Sequence, residues 1–192
     1  MHVRTIIARL GGLGPRARHV GAAAAVALAT LGALAACQVT TELPCPAVKI
    51  LRDASQVTRF RPGRPEDAAD LRYVASVDEA KLNCTYDSQS YERIDVALAV
   101  KFDATRPAKL PADEADLRYF VAIVNLQGEI LAKKDFPIRL DFAAGSTATS
   151  QVDSLRQTIP VKYPQNGGSL EVWVGYQLSA ADLQFNRAHP IP

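Results

Sequence analysis

The stretch Arg93-Ile94-Asp95-Val96-Ala97-Leu98-Ala99-Val100-Lys101-Phe102-Asp103 decides the fold, because it alternates large apolar residues with polar or small ones throughout. Successive side chains of a β-strand point to opposite faces of the sheet. The stretch therefore predicts a strand with one buried face and one solvent-facing side. Alternation of this kind is typical of antiparallel sheets, which bury only one face.

Similar signals recur along the chain. Six further strands are predicted, over residues 48–60, 71–84, 119–126, 130–142, 150–161 and 170–178. The apolar parity of residues 71–84 changes from odd to even positions, which predicts a β-bulge near Asp78-Glu79. Leu126-Gln127-Gly128-Glu129 predicts a tight hairpin turn.

The strand count indicates the fold class. About seven strands without a long helical pattern predict an all-β domain, an antiparallel sandwich of the immunoglobulin-like or fibronectin-like kind. Near the end, Ser179-Ala180-Ala181-Asp182 resembles a capping box that opens a short helical turn over Leu183 and Phe185. Residues 188–192 are then expected to form a loose tail.

The N-terminal segment has the composition of a signal peptide. Its first 36 residues contain four arginines and no acid, and residues 20–36 form an alanine-rich apolar run. This run is shorter than the roughly 20 residues that comfortably span a bilayer. We therefore interpret residues 1–36 as a cleaved signal peptide.

The run ends in Leu34-Ala35-Ala36-Cys37, which resembles the lipobox of bacterial lipoproteins. The resemblance implies cleavage before Cys37, a diacylglycerol on its thiol and an acylated new amine. The alternative is an ordinary signal peptide that a cysteine follows by chance. On the lipoprotein interpretation, residues 37–46 are a lipidated N-terminus and short tether, and residues 47–192 are the sandwich domain.

The same resemblance implies a cellular location and a binding partner. Gln38 stands where an Asp would retain a Gram-negative lipoprotein in the inner membrane. The resemblance therefore implies the periplasmic face of the outer membrane, with the lipid bilayer as partner through acylated Cys37. The tether from Cys37 to Cys45 reaches at most ~26 Å when extended, which would hold the domain near the membrane.

Removal of the signal peptide changes the charge. The full chain has 22 basic and 20 acidic residues, and losing the four arginines leaves 18 against 20, a net charge of −2. Nucleic-acid binding therefore lacks its usual electrostatic footprint.

Cys45 and Cys84 remain as an even pair, and an oxidising compartment would favour a disulfide between them. If the intervening chain forms one hairpin, its centre falls between Arg64 and Pro65, within the turn-rich residues 61–67. The two thiols would then lie opposite each other, provided that no bulge shifts the register. A metal pair or a redox couple is the alternative, although the chain has no Cys-x-x-Cys and no histidine nearby.

The mature region is also similar to a set of small uncharacterised lipoproteins of alphaproteobacteria. The shared motifs correspond here to Cys45-Pro46, Cys84-Thr85-Tyr86, Tyr119-Phe120-Val121-Ala122 and Gly175-Tyr176-Gln177-Leu178. These motifs are structural, and the resemblance implies no activity.

Residues for catalysis or metal binding are scarce. Without the signal peptide, His189 is the last histidine, which excludes a multi-histidine metal site and argues against a histidine-based triad. Asp67 with Asp70, and the cluster Asp113, Glu114 and Asp116, are candidates for an acid pair or a calcium site, but solvated loop charges explain them better. We predict no catalytic residue, metal or cofactor.

Trp173 has the opposite parity from Val172 and Val174, so one face of its strand must cover an indole. It belongs to a core built on both sheet faces, is covered by the C-terminal segment, or forms a contact surface with Tyr86, Tyr91 or Tyr119.

The expected function is a non-enzymatic module that binds or organises another envelope protein through an edge strand or exposed loops. The alternatives are a glycan- or peptidoglycan-binding protein, a carboxylate-based hydrolase, or a purely structural envelope component.

Overall fold

The computed structural model describes residues 43–63, 67–109, 114–162 and 164–189. All of them belong to the unit Glu42–Pro192, and the other unit, Met1–Thr41, lies outside them. The predicted signal peptide, Cys37 and Gln38 therefore fall outside the described residues, as do Arg64, Pro65 and Asp113.

The described residues form eight strands and one helix. The strands are β1 (Ala47–Ile50), β2 (Gln56–Phe60), β3 (Leu71–Tyr86), β4 (Arg93–Thr105), β5 (Glu114–Asn125), β6 (Ile130–Asp141), β7 (Ala148–Pro160) and β8 (Leu170–Tyr176), and the helix is α1 (Ala180–Ala188). Sheet I has the strand order β1-β8-β5-β6, and sheet II has the order β2-β3-β4-β7. Neighbouring strands are antiparallel except β1 and β8, which are parallel.

The predicted all-β sandwich is confirmed. The one-face burial expected of residues 93–103 is present, since alternate residues of β4 are buried between the sheets. An immunoglobulin domain keeps strands A, B, E and D in one sheet and C, F and G in the other, and sandwiches often share that architecture without its exact topology. Here β2, β3 and β4 are consecutive neighbours, and β7 returns beside β4.

The single strand predicted over residues 48–60 is wrong, because the chain changes sheets within it. A 3-10 turn, Arg52–Ala54, separates β1 in sheet I from β2 in sheet II. The turn lies against Gly175, where an added Cβ would come within 2.9 Å of the Ala54 Cβ. Neither glycine nor proline marks the crossover, so the local pattern cannot reveal it.

Two local predictions are confirmed. Val77 pairs with Phe102 and Glu79 with Lys101, which leaves Asp78 as the extra residue of a β-bulge. The β5–β6 turn places Gly128 at φ 81°, a left-handed conformation that favours glycine.

The predicted capping box at the start of α1 is confirmed as well. The Ser179 hydroxyl accepts a hydrogen bond from the Asp182 N–H, and the Asp182 carboxylate accepts one from the Ser179 N–H. Partial burial would raise the pKa of Asp182, but hydrogen bonds from Ser179 and the Arg59 guanidinium 2.6 Å away hold it below its usual value. Among the described residues, no helix is both long and apolar enough to cross a membrane.

The expected loose tail is only partly correct. His189 caps α1, its N–H donating to the Phe185 carbonyl, and its ring stacks on Phe185 at 4.3 Å between centroids. Residues 190–192 lie outside the described residues.

The main core lies between the two sheets. Its largest fully buried side chains are Tyr119, Tyr176, Phe102, Leu140, Val100, Val172 and Val174. A smaller cluster of Ile94, Val96, Ile159, Val161 and Leu170 lies towards the end of the sandwich where the described chain begins. We call this the entry end, and it carries residues 43–46, the β3–β4 turn, the β5–β6 turn and the β7–β8 loop.

Candidate functional site

Cys45 and Cys84 form the predicted disulfide, with their Cα atoms 5.7 Å apart. The hairpin geometry offered as further support for it is wrong, however. The strand opposite β3 is β2, with Gln56 paired to Ser76, whereas Cys45 precedes β1 in the other sheet. The bond therefore links sheet I to sheet II instead of bridging the two arms of one hairpin.

Tyr86 is a structural residue beside this disulfide. Its hydroxyl donates to the Pro44 carbonyl and accepts from the Gly167 N–H, each at 2.6 Å. An added Cβ at Gly167 would lie 2.7 Å from the Pro46 ring, so only glycine fits without a shift. Tyr86 thus ties the entering chain to the β7–β8 loop.

Tyr119 cannot belong to a contact surface, because its side chain is fully buried between the sheets. Its ring lies against Phe102 and Phe136, with centroid distances of 4.8 and 5.4 Å. Its hydroxyl donates to the Asp153 carboxylate at 2.7 Å. Burial, followed by this hydrogen bond, raises the pKa of Tyr119. The predicted role of Tyr119 as a contact residue is therefore wrong.

Trp173 lies on the outer face of sheet I, half-buried against a small cluster of Ala54, Phe120, Ala122 and Val124. This placement matches the expectation of a core built on both sheet faces. The indole N–H donates to Glu171 at 2.8 Å. Tyr86, Tyr119 and Trp173 thus lie at the entry end, in the core and on an outer face, and do not form one surface.

The structure also contains a concave site that is not among the sites predicted above. An apolar cleft of about 350 Å³ opens between β6 and β7 at the side of the sandwich. We call it the lateral cleft, and its lining residues are Val121, Ile123, Leu131, Ala132, Lys133, Lys134, Phe136, Gln157, Thr158, Ile159, Pro160, Gln165 and Leu170.

The lateral cleft exists because the first half of β6 has no partner across the sandwich. Ala132 and Lys134 share the inward parity of Ile138 and Leu140, yet only the latter two are buried. Farther along, the hydrogen bond from Tyr119 to Asp153 joins β5 to β7 and closes the gap.

The charge at the mouth of the cleft is positive. Its two charged lining residues are Lys133 and Lys134. The Lys134 ammonium lies 5.3 Å from the centroid of the Phe136 ring, and that of Lys133 lies 4.3 Å from that of Phe120. Lys133 also donates to the Gln177 side chain at 2.7 Å. Phe120 belongs to the cluster on the outer face of sheet I, so the Lys133 ammonium lies on that face, and Lys134 supplies the positive charge beside the apolar interior of the cleft.

The sequence held a weak signal for this site. Residues 130–134 carry Ile130 and Leu131 next to each other, so they are apolar on both parities before two consecutive lysines. A strand that is buried on one face should have a polar residue at the position of Leu131. The alternation over residues 130–142 predicts one-face burial, whereas Leu131 is the extra residue where the β5–β6 register shifts.

The carboxylate clusters serve local contacts. Asp67 caps a 3-10 turn, accepting a hydrogen bond from Ala69 N–H at 3.2 Å. Glu114 and Asp116 both pair with Arg139, at 3.3 and 2.8 Å. Within residues 43–63, 67–109, 114–162 and 164–189, no group of three His, Cys, Asp or Glu side chains is placed to hold a metal ion.

A larger hollow of about 640 Å³ lies near the end opposite the entry end. It contains Arg59, Asp116 and Arg139, which are engaged in ion pairs within the chain. These pairs leave the lateral cleft as the better candidate for a ligand.

Fold and cleft together define the class of protein: an all-β sandwich with an apolar cleft at its open side. No protein family matches the chain, and no curated protein matches it. Among solved structures, arabinose-bound MgGH51 α-L-arabinofuranosidase is similar over 71% of this chain, with 14% identity and a TM-score of 0.23. The chain spans 27% of the length of that protein. A likeness of this size carries no functional argument.

Proposed function

We propose that this protein is a lipid-anchored, non-enzymatic module of the bacterial cell envelope whose lateral cleft binds an extended segment of another envelope protein. The observation that carries the proposal is the position of the cleft. It lies between β6 and β7, which within the described residues each pair with a neighbouring strand on one side only.

The backbone of β6 supports strand addition. Pro137 has no N–H to offer β5, so its nitrogen side must face away from that strand. Because strand residues alternate in direction, the N–H groups of Asp135 and Lys133 face the same free edge. A partner strand would gain main-chain hydrogen bonds there. Pro137 and the bulge at Leu131 confine the pairing to a short length, which also discourages unselective aggregation.

The side chains of the lateral cleft specify the partner chemistry. Alternate residues of an added strand would point into the cleft, where Val121, Ile123 and Ile159 offer apolar walls. Carboxylates of the same segment would lie near Lys134, whose ammonium is beside the cleft residue Phe136. We therefore expect an extended segment with apolar residues at alternate positions and acidic residues beside them.

Site-specific photocrosslinking tests this proposal. A photoreactive amino acid is placed at Leu131 or Gln157, both at the cleft, and at Val152 as the control. Val152 is an equally exposed apolar residue on β7. We expect one partner to be crosslinked from both cleft positions and not from Val152, and we expect Ala132→Trp, which fills the cleft, to abolish the crosslink.

Mass spectrometry of the crosslinked peptide supplies the second criterion, since it should show the apolar and acidic segment. The proposal fails if Val152 captures the same partner, or if Ala132→Trp leaves the crosslinks unchanged.

The lipid anchor is tested separately. Replacing Cys37 with Ser should release the protein into the soluble periplasmic fraction or leave it uncleaved at the inner membrane. Unchanged fractionation with the outer membrane would contradict the anchor.

A further inference from the structure

Exposed apolar side chains are concentrated at the entry end. Six large apolar side chains stand out as exposed among the described residues, and five of them, all except Val152, lie at or next to this end. Leu126 and Ile130 flank the β5–β6 turn at 62% and 55% exposure, Tyr91 in the β3–β4 turn is 56% exposed, and Leu43 is 37% exposed.

These side chains stand on loops that are tied to one another. The Tyr86 hydroxyl joins the Pro44 carbonyl to the Gly167 N–H, and the Val161 N–H donates to the Glu92 carbonyl at 2.8 Å. The β5–β6 turn is fixed by the pairing of its last β5 residue with the first residue of β8. The loops of the entry end are therefore held together by hydrogen bonds, and the apolar side chains project from them.

The backbone conformation that exposes Tyr91 is strained. Its φ of 56° lies in the left-handed region, which a bulky residue rarely adopts. The turn is held by Asp87, whose carboxylate accepts from the Ser90 hydroxyl at 2.8 Å and from the Gln89 N–H at 3.2 Å. A strained backbone that exposes an aromatic ring points to a use for that ring.

The β5–β6 turn exposes two apolar side chains, one on each side of Gln127 and Gly128. The Glu129 carboxylate is turned back, where it accepts a hydrogen bond from the Asn125 side chain at 3.0 Å. Leu126 and Ile130 are the large apolar side chains that project there.

The chain outside the described residues leads to the same end. Leu43 follows Cys37 by six residues, which span at most about 20 Å when extended. A lipid on Cys37 would therefore bring the entry end, and not the opposite end, against the bilayer. This step rests on the lipid anchor proposed above.

We propose that the entry end is a membrane-contacting surface, in which Leu126, Ile130, Leu43 and Tyr91 enter the interfacial region of the bilayer that carries the anchor. Apolar side chains and a tyrosine suit that zone, since the tyrosine ring can be buried while its hydroxyl stays hydrated. The contact orients the sandwich with its long axis away from the membrane.

Lipid quenching of an added tryptophan tests this orientation. Leu126→Trp and Val152→Trp are compared in the full lipidated chain, each reconstituted into vesicles of phosphatidylcholine or of dibrominated phosphatidylcholine. Both positions are exposed, so neither change disturbs the core. Trp173 is the single tryptophan of the chain and supplies the same baseline to both variants and to the unmodified protein.

Contact at the acyl boundary predicts roughly twofold quenching of the tryptophan at position 126 and almost none at position 152. Equal quenching at the two positions, or none at position 126 in vesicle-bound protein, overturns the membrane-contacting surface and leaves the anchor intact. Failure of the unmodified protein to float with the vesicles overturns the anchor, and the contact with it.

Discussion

The loss in free energy of unfolding on removal of the Cys45–Cys84 disulfide follows from the positions of the two cysteines in the chain. The two cysteines are separated by 39 positions, so the bond closes a loop of about 40 residues in the unfolded chain, worth roughly 4 kcal/mol in the chain-entropy model. Cys45 is exposed and Cys84 only partly buried, so the folded state loses little packing when both become serine. We expect the Cys45→Ser, Cys84→Ser variant to unfold with a free energy lower by about that amount.

Urea unfolding of the two proteins measures this difference. The variant should show an earlier midpoint and a thermal transition lower by roughly 8–16 °C. The unmodified protein, unfolded under a reducing agent, is the control and should follow the curve of the variant. A loss below about 1 kcal/mol would refute the reasoning, because it would mean that the cross-link does not limit the unfolded chain.

Three further predictions concern single side chains. Tyr86→Phe leaves the buried Gly167 N–H without its partner and should lower the free energy of unfolding in urea by about 2 kcal/mol. A loss of a few tenths would contradict the stabilising role of the Tyr86 hydroxyl. The pKa of Asp182 is depressed, so its stabilising effect is present above the ordinary pKa of 3.8 and is lost as pH falls through the folded value. Asp182→Asn should therefore destabilise α1 by about 1 kcal/mol at pH 7. It should also reduce the loss of helical circular dichroism between pH 5 and pH 2. An unchanged pH profile would contradict the stabilising role of the Asp182 carboxylate. Tyr119→Phe removes the bond that joins β5 to β7 beside Asp153 and should raise amide hydrogen exchange in β7, and equal exchange would show that packing alone closes the sandwich there.

The strands that were predicted well are those in which burial depends on local alternation. β4 has Ile94, Val96 and Leu98 buried on one face, as its period of two requires, because both neighbours in sheet II continue the same face. The bulge at Asp78 was visible for the same reason, since an extra residue must change the parity of the apolar positions.

The features that were missed depend on contacts distant in sequence. The crossover between β1 and β2 is placed where Ala54 meets Gly175, a residue more than a hundred positions later. The lateral cleft likewise depends on where β7 fails to cover the first half of β6, which neither strand reveals alone.

The disulfide shows that a correct pairing can follow from an incorrect geometry. Compartment and cysteine count selected Cys45 and Cys84, and those reasons do not depend on the fold. The index sum placed them on one hairpin, whereas the chain crosses to the other sheet at Arg52–Ala54 before β2 begins. Sequence spacing therefore gave no independent support for the pair.

The two proposals together restrict the identity of the partner. Leu131 lines the lateral cleft and is adjacent to Ile130, which projects at the entry end. With the entry end against the bilayer, a strand bound along β6 begins at the membrane surface and runs away from it. A soluble partner would have to bring its segment to that surface, whereas a protein anchored in the same membrane presents one there by default. The binding partner should therefore be sought among membrane-bound envelope proteins with an acidic, apolar and extended segment next to their own anchor.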